Sequence, residues 1–423
     1  MSTTSRTFAD RLRDHAVTLT HVDPAAPQDD LEPLRTLIGD ARVVAIGESS
    51  HFITEFALMR HRILRFLVQR CGFTALAYEF GFSEGLTLNS WVHGAGTKED
   101  LARYHDVALP VGLAEPLRWL REHNETPDRQ ADFLGVDISE GGGSLLPALQ
   151  PVHDYLRQVD AETARLAERA IETAALFADA SGAGAVPKWA RLGSAQQDAL
   201  SAVLMRLLLR FHSMKPVYVS RGGHLEYDIA LRRLEAACHG EYSMRAMADL
   251  FAAKGLPGDT SAREIYMAGS VLWHLRHSAP GTRIVLAAHN AHIQKTPIAY
   301  GGRLTTLPMG QHLHDLLGAD YFALGLTSTT GQTAEMSLDE NARFGFTVHP
   351  TDLQPPEEGS IEAAFGDAGL GLSLADLSPA SPNPQSPPDR IRLQGSYLHT
   401  PVLEAFDAVL NIPDTTVEVL HDY

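Results

Sequence analysis

Acids and histidines gather at a few points in this sequence, each just after a short apolar run. Gly47-Glu48-Ser49-Ser50-His51 follows one run, Glu79 closes a second, Asp137 closes a third, and His289-Asn290-Ala291-His292 follows a fourth. Such a set suits acyl hydrolysis. Water is a poor nucleophile at neutral pH, and an imidazole with an ordinary pKa of about 6.5 can take its proton. His51 is the candidate base, with Glu48 or Glu79 as the carboxylate that fixes its tautomer. The tetrahedral intermediate then needs donors at its oxyanion. Arg60, on the helix expected after His51, offers that or holds the carboxylates, and His289 and His292 offer donors or an acid for the leaving alkoxide.

Each of these residues also has a structural use. Glu48 and His51 would cap a helix starting near Phe52, Arg60 would form an ion pair, and Asp137 would cap the loop before Gly141-Gly142-Gly143. His289 and His292 would be two satisfied loop histidines. Two other chemistries compete. Gly81-Phe82-Ser83-Glu84-Gly85 matches the G-x-S-x-G pattern of a serine nucleophile elbow, which would need partners such as Asp315 or Asp320 with His349. Alternatively, His289 and His292 with Glu48, His51, Glu79 and Asp137 would ligate a metal, although neither an H-E-x-x-H motif nor a cysteine cluster is present.

The elements that must position these groups read as an α/β fold, a mostly parallel sheet flanked by helices with a helical lid. Strands are expected at Arg42–Gly47, Thr74–Glu79, Asp132–Asp137, Thr282–Ala288 and Tyr321–Leu326. Phe52, Phe56, Met59, Ile63 and Phe66 recur at helical spacing; further helices are expected up to Trp91 and over Leu113–His123. From Ser144 to His277 the pattern is helical, with Leu200–Leu209 its most apolar stretch and Ser181–Ala185 as a connecting loop. Residues 1–143 and 278–423 are then two parts of one α/β core, and 144–277 a cap. Ser378–Pro388 reads as a surface loop. In open α/β sheets ligands bind at the carboxyl ends of strands, so four polar strand ends should share one rim.

Composition narrows the partners. Lys and Arg total 35 against 52 Asp and Glu, and a net charge of −17 repels nucleic acid. No apolar run reaches the ~18 residues of a membrane span, and the polar N-terminus has no secretory pattern. Cys71 and Cys238, far apart, make neither a disulfide framework nor a zinc ligand set, so a reducing, cytoplasmic setting is expected; separately, the protein is expected to need no cofactor. The residues leave the oligomeric state open.

At these motifs the sequence resembles the erythromycin esterase family, and within it the type II enzymes. The resemblance lies in Val43–Phe56 with its Gly-Glu-x-x-His, in Phe80-Gly81-Phe82 and in Phe133–Ile138. It continues through Ser270–Leu275, Ala288–Pro297 with its His-Asn-Ala-His, and Leu307–Gln311, and is thinnest between Ala161 and Gly240. It implies opening of a macrolide lactone by water, without a serine nucleophile or a required metal. Carried over by position, the essential residues are Glu48, His51, Arg60, Glu79, His289 and His292. The resemblance also implies a helical lid over a wide cleft and a role in antibiotic resistance. Another lactone, ester or polyketide as substrate, or a non-catalytic binding role, are the alternatives, because fold likeness does not fix a substrate.

Overall fold

The protein is described here by a computed structural model covering residues 7–101, 112–378 and 386–418. Most of the 378–388 stretch, expected to be a loop, lies outside the described residues. The main sheet has nine strands. In chain order the strands are β1 (Val17–Thr18), β2 (Val43–Ile46), β3 (Ala75–Gly81), β4 (Asp132–Asp137), β5 (Ile284–Ala287), β6 (Ile298–Tyr300) and β7 (Arg303–Thr306). Then follow β8 (Tyr321–Leu338), β9 (Phe346–Asp352), β10 (Ser373–Asp376), β11 (Arg390–Leu393), β12 (Ser396–His399) and β13 (Ala408–Thr415). The sheet order is β1-β10-β13-β8-β2-β5-β3-β4, parallel from β13 to β4, with β10 and β1 antiparallel at one edge.

Alternation along the central strands explains why both faces carry helices. Val44, Ile46 and Leu76 pack with Phe56, Met59, Ile63 and Phe66 of the Thr54–Cys71 helix. Val43, Ala45, Ala75 and Ala77 point the other way, toward Met267 and Val271 of the Ser261–His277 helix. Every residue of β2 and β5 is buried, as a strand covered on both faces requires. The Thr54–Cys71 helix stops at Gly72, whose φ of 73° accepts the left-handed cap.

Between β4 and β5 the chain is helical: Leu146–Val159, Ala161–Ala174, Gly182–Ala190, Ser194–Gly222, His224–Phe251 and Ser261–His277. The first five of these pack around Leu149, Val152, Phe177, Trp189, Leu204 and Phe211. No helix among the described residues is long and apolar enough to cross a membrane.

Two expected boundaries differ. The Ser181–Ala185 segment is not a loop: Ser181 caps the Gly182–Ala190 helix by accepting from Ala183 N and Gly184 N. Its small residues allow a close approach, since a Cβ on Gly345 would lie 2.5 Å from Gly184 N. β8 continues twelve residues past Leu326, to Leu338, because its polar half pairs antiparallel with β9.

Candidate active site

The four strand ends that carry acids or histidines are neighbours. β2, β5, β3 and β4 lie side by side, with Ile46 opposite Ala287, Tyr78 opposite Ala287, and Gly81 opposite Asp137. The chain leaves all four at the same edge of the sheet, as parallel strands must. Asn290 ties the ends together: its N–H donates to Glu48 O, and its side chain bonds both Leu326 O and Leu326 N. Gly47 makes room for it, because a Cβ there would sit 1.8 Å from Asn290 Oδ1.

At the end of β2 the chain turns sharply, and Phe52 takes a φ of 63°, rare for a bulky side chain. The following helix starts at Thr54 with Ile53 as its N-cap, so neither Glu48 nor His51 caps it. They bind each other instead. His51 Nδ1 lies 2.8 Å from Glu48 Oε1, and Arg60 Nη1 lies 2.6 Å from Glu48 Oε2. Burial disfavours the Glu48 carboxylate, but Arg60 and His51 outweigh it and hold its pKa down at about 2. Burial likewise disfavours a charged His51, and the hydrogen bond and charge of Glu48 outweigh it, raising the pKa above the ordinary imidazole value. The His51 side chain is 39% exposed, with its Nδ1 committed to Glu48. Arg60 lies over the Tyr78 ring at 5.1 Å, is 7% exposed, and its Nη2 has no hydrogen-bond partner among the described residues.

Glu79 belongs to a second network. It meets Arg263 Nη2 at 3.0 Å and His292 Nε2 at 3.2 Å, and accepts from His289 N at 3.0 Å. Arg263 also grips Asp137, with Nη2 at 2.5 Å from Oδ2 and Nε at 2.9 Å from Oδ1. His292 Nδ1 lies 2.7 Å from Glu264, whose other oxygen accepts from Met309 N. Burial opposes the charge on His292, but Glu264 and Glu79 push its pKa up to about 10. Burial opposes the charge on Glu79 as well, yet His292 and Arg263 hold it well below the usual carboxylate range.

His289 behaves differently. Burial first, then the charge of nearby His51, push its pKa down to about 3. Its ring centroid is 5.0 Å from that of His51. Its Nδ1 accepts from Ala291 N, so the proton of the neutral ring is on Nε2.

A cavity of about 250 Å³ opens over these groups. Glu48, His51, Arg60, Glu79, Asp137 and Arg263 line it, with Phe52, Phe344 and Phe346 forming an apolar side. His289 and His292 are not in its lining; they back His51 and Glu79. Ser83 is also absent from the lining, and its buried hydroxyl has no partner among the described residues. The glycines around it serve packing: a Cβ on Gly85 would lie 2.4 Å from Gly135 N of β4. His349, the late histidine considered with Ser83, is exposed on β9 and bonds Thr347. No group of three or more His, Cys, Asp or Glu side chains among the described residues is placed to hold a metal ion.

The family model described as erythromycin esterase matches residues 68–415. An erythromycin esterase type II from Escherichia coli is 37% identical over 98% of this chain and all of its own length. The chain belongs to the erythromycin esterase family. A type I erythromycin esterase from Escherichia coli is 32% identical, over 90% of this chain and 93% of its own. A solved structure of an erythromycin esterase mutant in its open conformation superposes with a TM-score of 0.88 at 28% identity, covering 96% of this chain and 99% of that one. As a member of the erythromycin esterase family this protein is a carboxylic ester hydrolase.

Sequence reasoning missed Arg263 and Glu264. Both sit in the first turn of the Ser261–His277 helix, where charges ordinarily face water. The available signal was their place directly before the apolar Ile265-Tyr266-Met267-Ala268 run, which continues a helix packed on the sheet.

Proposed function

We propose that this enzyme opens the lactone ring of a macrolide by direct attack of a water molecule that His51 deprotonates. The observation that carries the reading is the Glu48–His51 hydrogen bond of 2.8 Å. It places the neutral ring's proton on Nδ1 and leaves the Nε2 lone pair as the base, on a side chain that lines the cavity. Nε2 takes a proton from water as the oxygen bonds to the lactone carbonyl carbon. The imidazolium is stabilised by Glu48 and returns its proton to the alkoxide as the ester C–O bond breaks, so the products are a carboxylic acid and an alcohol on one opened chain.

The oxyanion needs a donor, and the Arg60 guanidinium, which lines the cavity beside Glu48, is the group assigned to it. Glu79, Arg263, Asp137 and His292 form a fixed-charge floor. In this reading His292 and His289 are positioning residues: His292 keeps Glu79 ionised, and neutral His289 packs beside His51. The helices between Leu146 and Phe251 form the lid, and Ala180 and Ser181 reach the cavity from that side. Cys71 and Cys238 are both free, which fits action in the reducing cytoplasm, and ring opening there would confer macrolide resistance.

The test is mass spectrometry on macrolides of several ring sizes, erythromycin first. Wild type should add the mass of one water, and His51→Ala should lower kcat/KM by about 10³–10⁴, the scale of a lost general base. Equal turnover by His51→Ala overturns the mechanism. Turnover of other esters with none on any macrolide overturns the substrate.

A further inference from the structure

Two guanidiniums line the cavity, Arg60 and Arg263, and they reach it from opposite faces of the sheet. Arg60 comes from the Thr54–Cys71 helix, which packs on one face; Arg263 comes from the Ser261–His277 helix, which packs on the other. The second helix leads into β5 and runs against the strands, so its first turn lies at their carboxyl edge. Glu79 is common to both: it contacts Arg263, and its charge also acts on Arg60.

The two cations differ in what they leave open. Arg60 is 7% exposed, and its unpartnered Nη2 has no accessible surface. The Arg263 side chain is 26% exposed. Its Nε and Nη2 are clamped by Asp137 and Glu79, whereas Nη1 makes no hydrogen bond among the described residues and keeps accessible surface. Asp137, 1% exposed, holds Nε and Nη2 as a fork, so the guanidinium plane is fixed before any substrate arrives. Glu79 does not cancel the Arg263 charge, because it also meets the His292 cation at 3.2 Å. A rigid donor is thus presented to the cavity, the arrangement that stabilises charge developing in a transition state.

We infer that Arg263 is a further catalytic residue, whose Nη1 donates to the ester carbonyl oxygen as that oxygen becomes negative, joining Arg60 from the other face of the sheet. The carbonyl oxygen takes the π electron pair when the nucleophile adds to carbon, and returns it when the C–O bond to the alkoxide breaks. Arg263 keeps its proton throughout. An oxyanion forms whichever group attacks, so the inference rests on ester hydrolysis itself and takes from the proposed function only erythromycin as the probe.

The test is the split between kcat and KM on erythromycin in Arg263→Lys, which keeps a charge beside Asp137 and loses the forked donor. With kcat expressed per folded protein from near-ultraviolet circular dichroism, it should fall about 10²-fold while KM stays within about threefold, the pattern of an interaction made only in the transition state. Should Arg263→Lys not fold, Arg263→Met combined with Asp137→Asn removes the donor together with the buried charge that would lose its partner, and should show the same split. A kcat within about twofold of wild type, or a raised KM at unchanged kcat, would overturn the assignment. Failure of both variants to fold would also overturn it, in favour of a structural Arg263. The outcomes are separable from those of the proposed mechanism. Normal turnover by His51→Ala with loss in Arg263→Lys sinks the base and supports the donor, and the reverse sinks the donor alone. If wild type opens no macrolide, the same split is read on the ester it does hydrolyse.

Discussion

His51 and His292 each hold a glutamate through Nδ1, at 2.8 Å to Glu48 and 2.7 Å to Glu264. Their surroundings then diverge. His51 has one bound carboxylate, shared with Arg60, and a side chain 39% exposed. His292 has two, Glu264 and Glu79, and a side chain 16% exposed. The second carboxylate pins His292 as an imidazolium, with a pKa of about 10. His51 is raised above the ordinary value by a smaller set of partners. His292 is held as a cation up to about pH 10, whereas His51 has fewer partners raising it, although both lie just past a strand end. Partner number and exposure, rather than residue type, assign the roles.

The comparison breaks most visibly at His51 itself, through the loss expected for His51→Ala. Next is Glu264→Gln, which gives His292 a single charged carboxylate, as His51 has. Its pKa should fall from about 10 by about 1–3 units, read from the imidazole proton shifts by NMR. The sign for stability follows from the direction. A histidine whose folded pKa is raised stabilises the fold fully below the unfolded value of about 6.5, and loses that contribution as pH rises through the folded value. Wild-type Tm should therefore fall between pH 7 and 10, and the fall in Glu264→Gln should come at lower pH. An unmoved His292 titration would mean that Glu79 alone pins it. The smallest effect belongs to Ser83→Ala, since Ser83 is outside the cavity lining: kcat/KM within about twofold of wild type is expected. A loss of about 10³ or more would bring back the serine nucleophile.

The strands were legible because a sheet covered on both faces demands near-continuous apolar runs, and Val43–Ile46, Asp132–Asp137 and Ile284–Ala287 supply them. The polar residue after each run could be read for the same reason, since nothing in a buried strand explains it. The second half of β8 was not legible. Thr327 to Gln332 lacks apolar alternation, and its partner β9 is set by a hairpin. Ser181–Ala185 misled because glycines that permit close packing look like glycines that permit a turn. The choice between Glu48 and Glu79 as the partner of His51 also needed three dimensions. Both acids end neighbouring regions of the sheet, and only the folded chain shows the His51 ring on Glu48, at 2.8 Å.

The central claim, an imidazole tuned by Glu48 to take a proton from water, is tested most directly by the pH dependence of kcat/KM on erythromycin for wild type and Glu48→Gln. The base must be neutral, so wild type should lose activity as pH falls through a single ionisation above the ordinary imidazole value of about 6.5. Removing the Glu48 charge lets burial and Arg60 dominate, and the limb should move to lower pH by about one unit or more while the plateau drops. A limb at the same pH in both proteins would contradict the account.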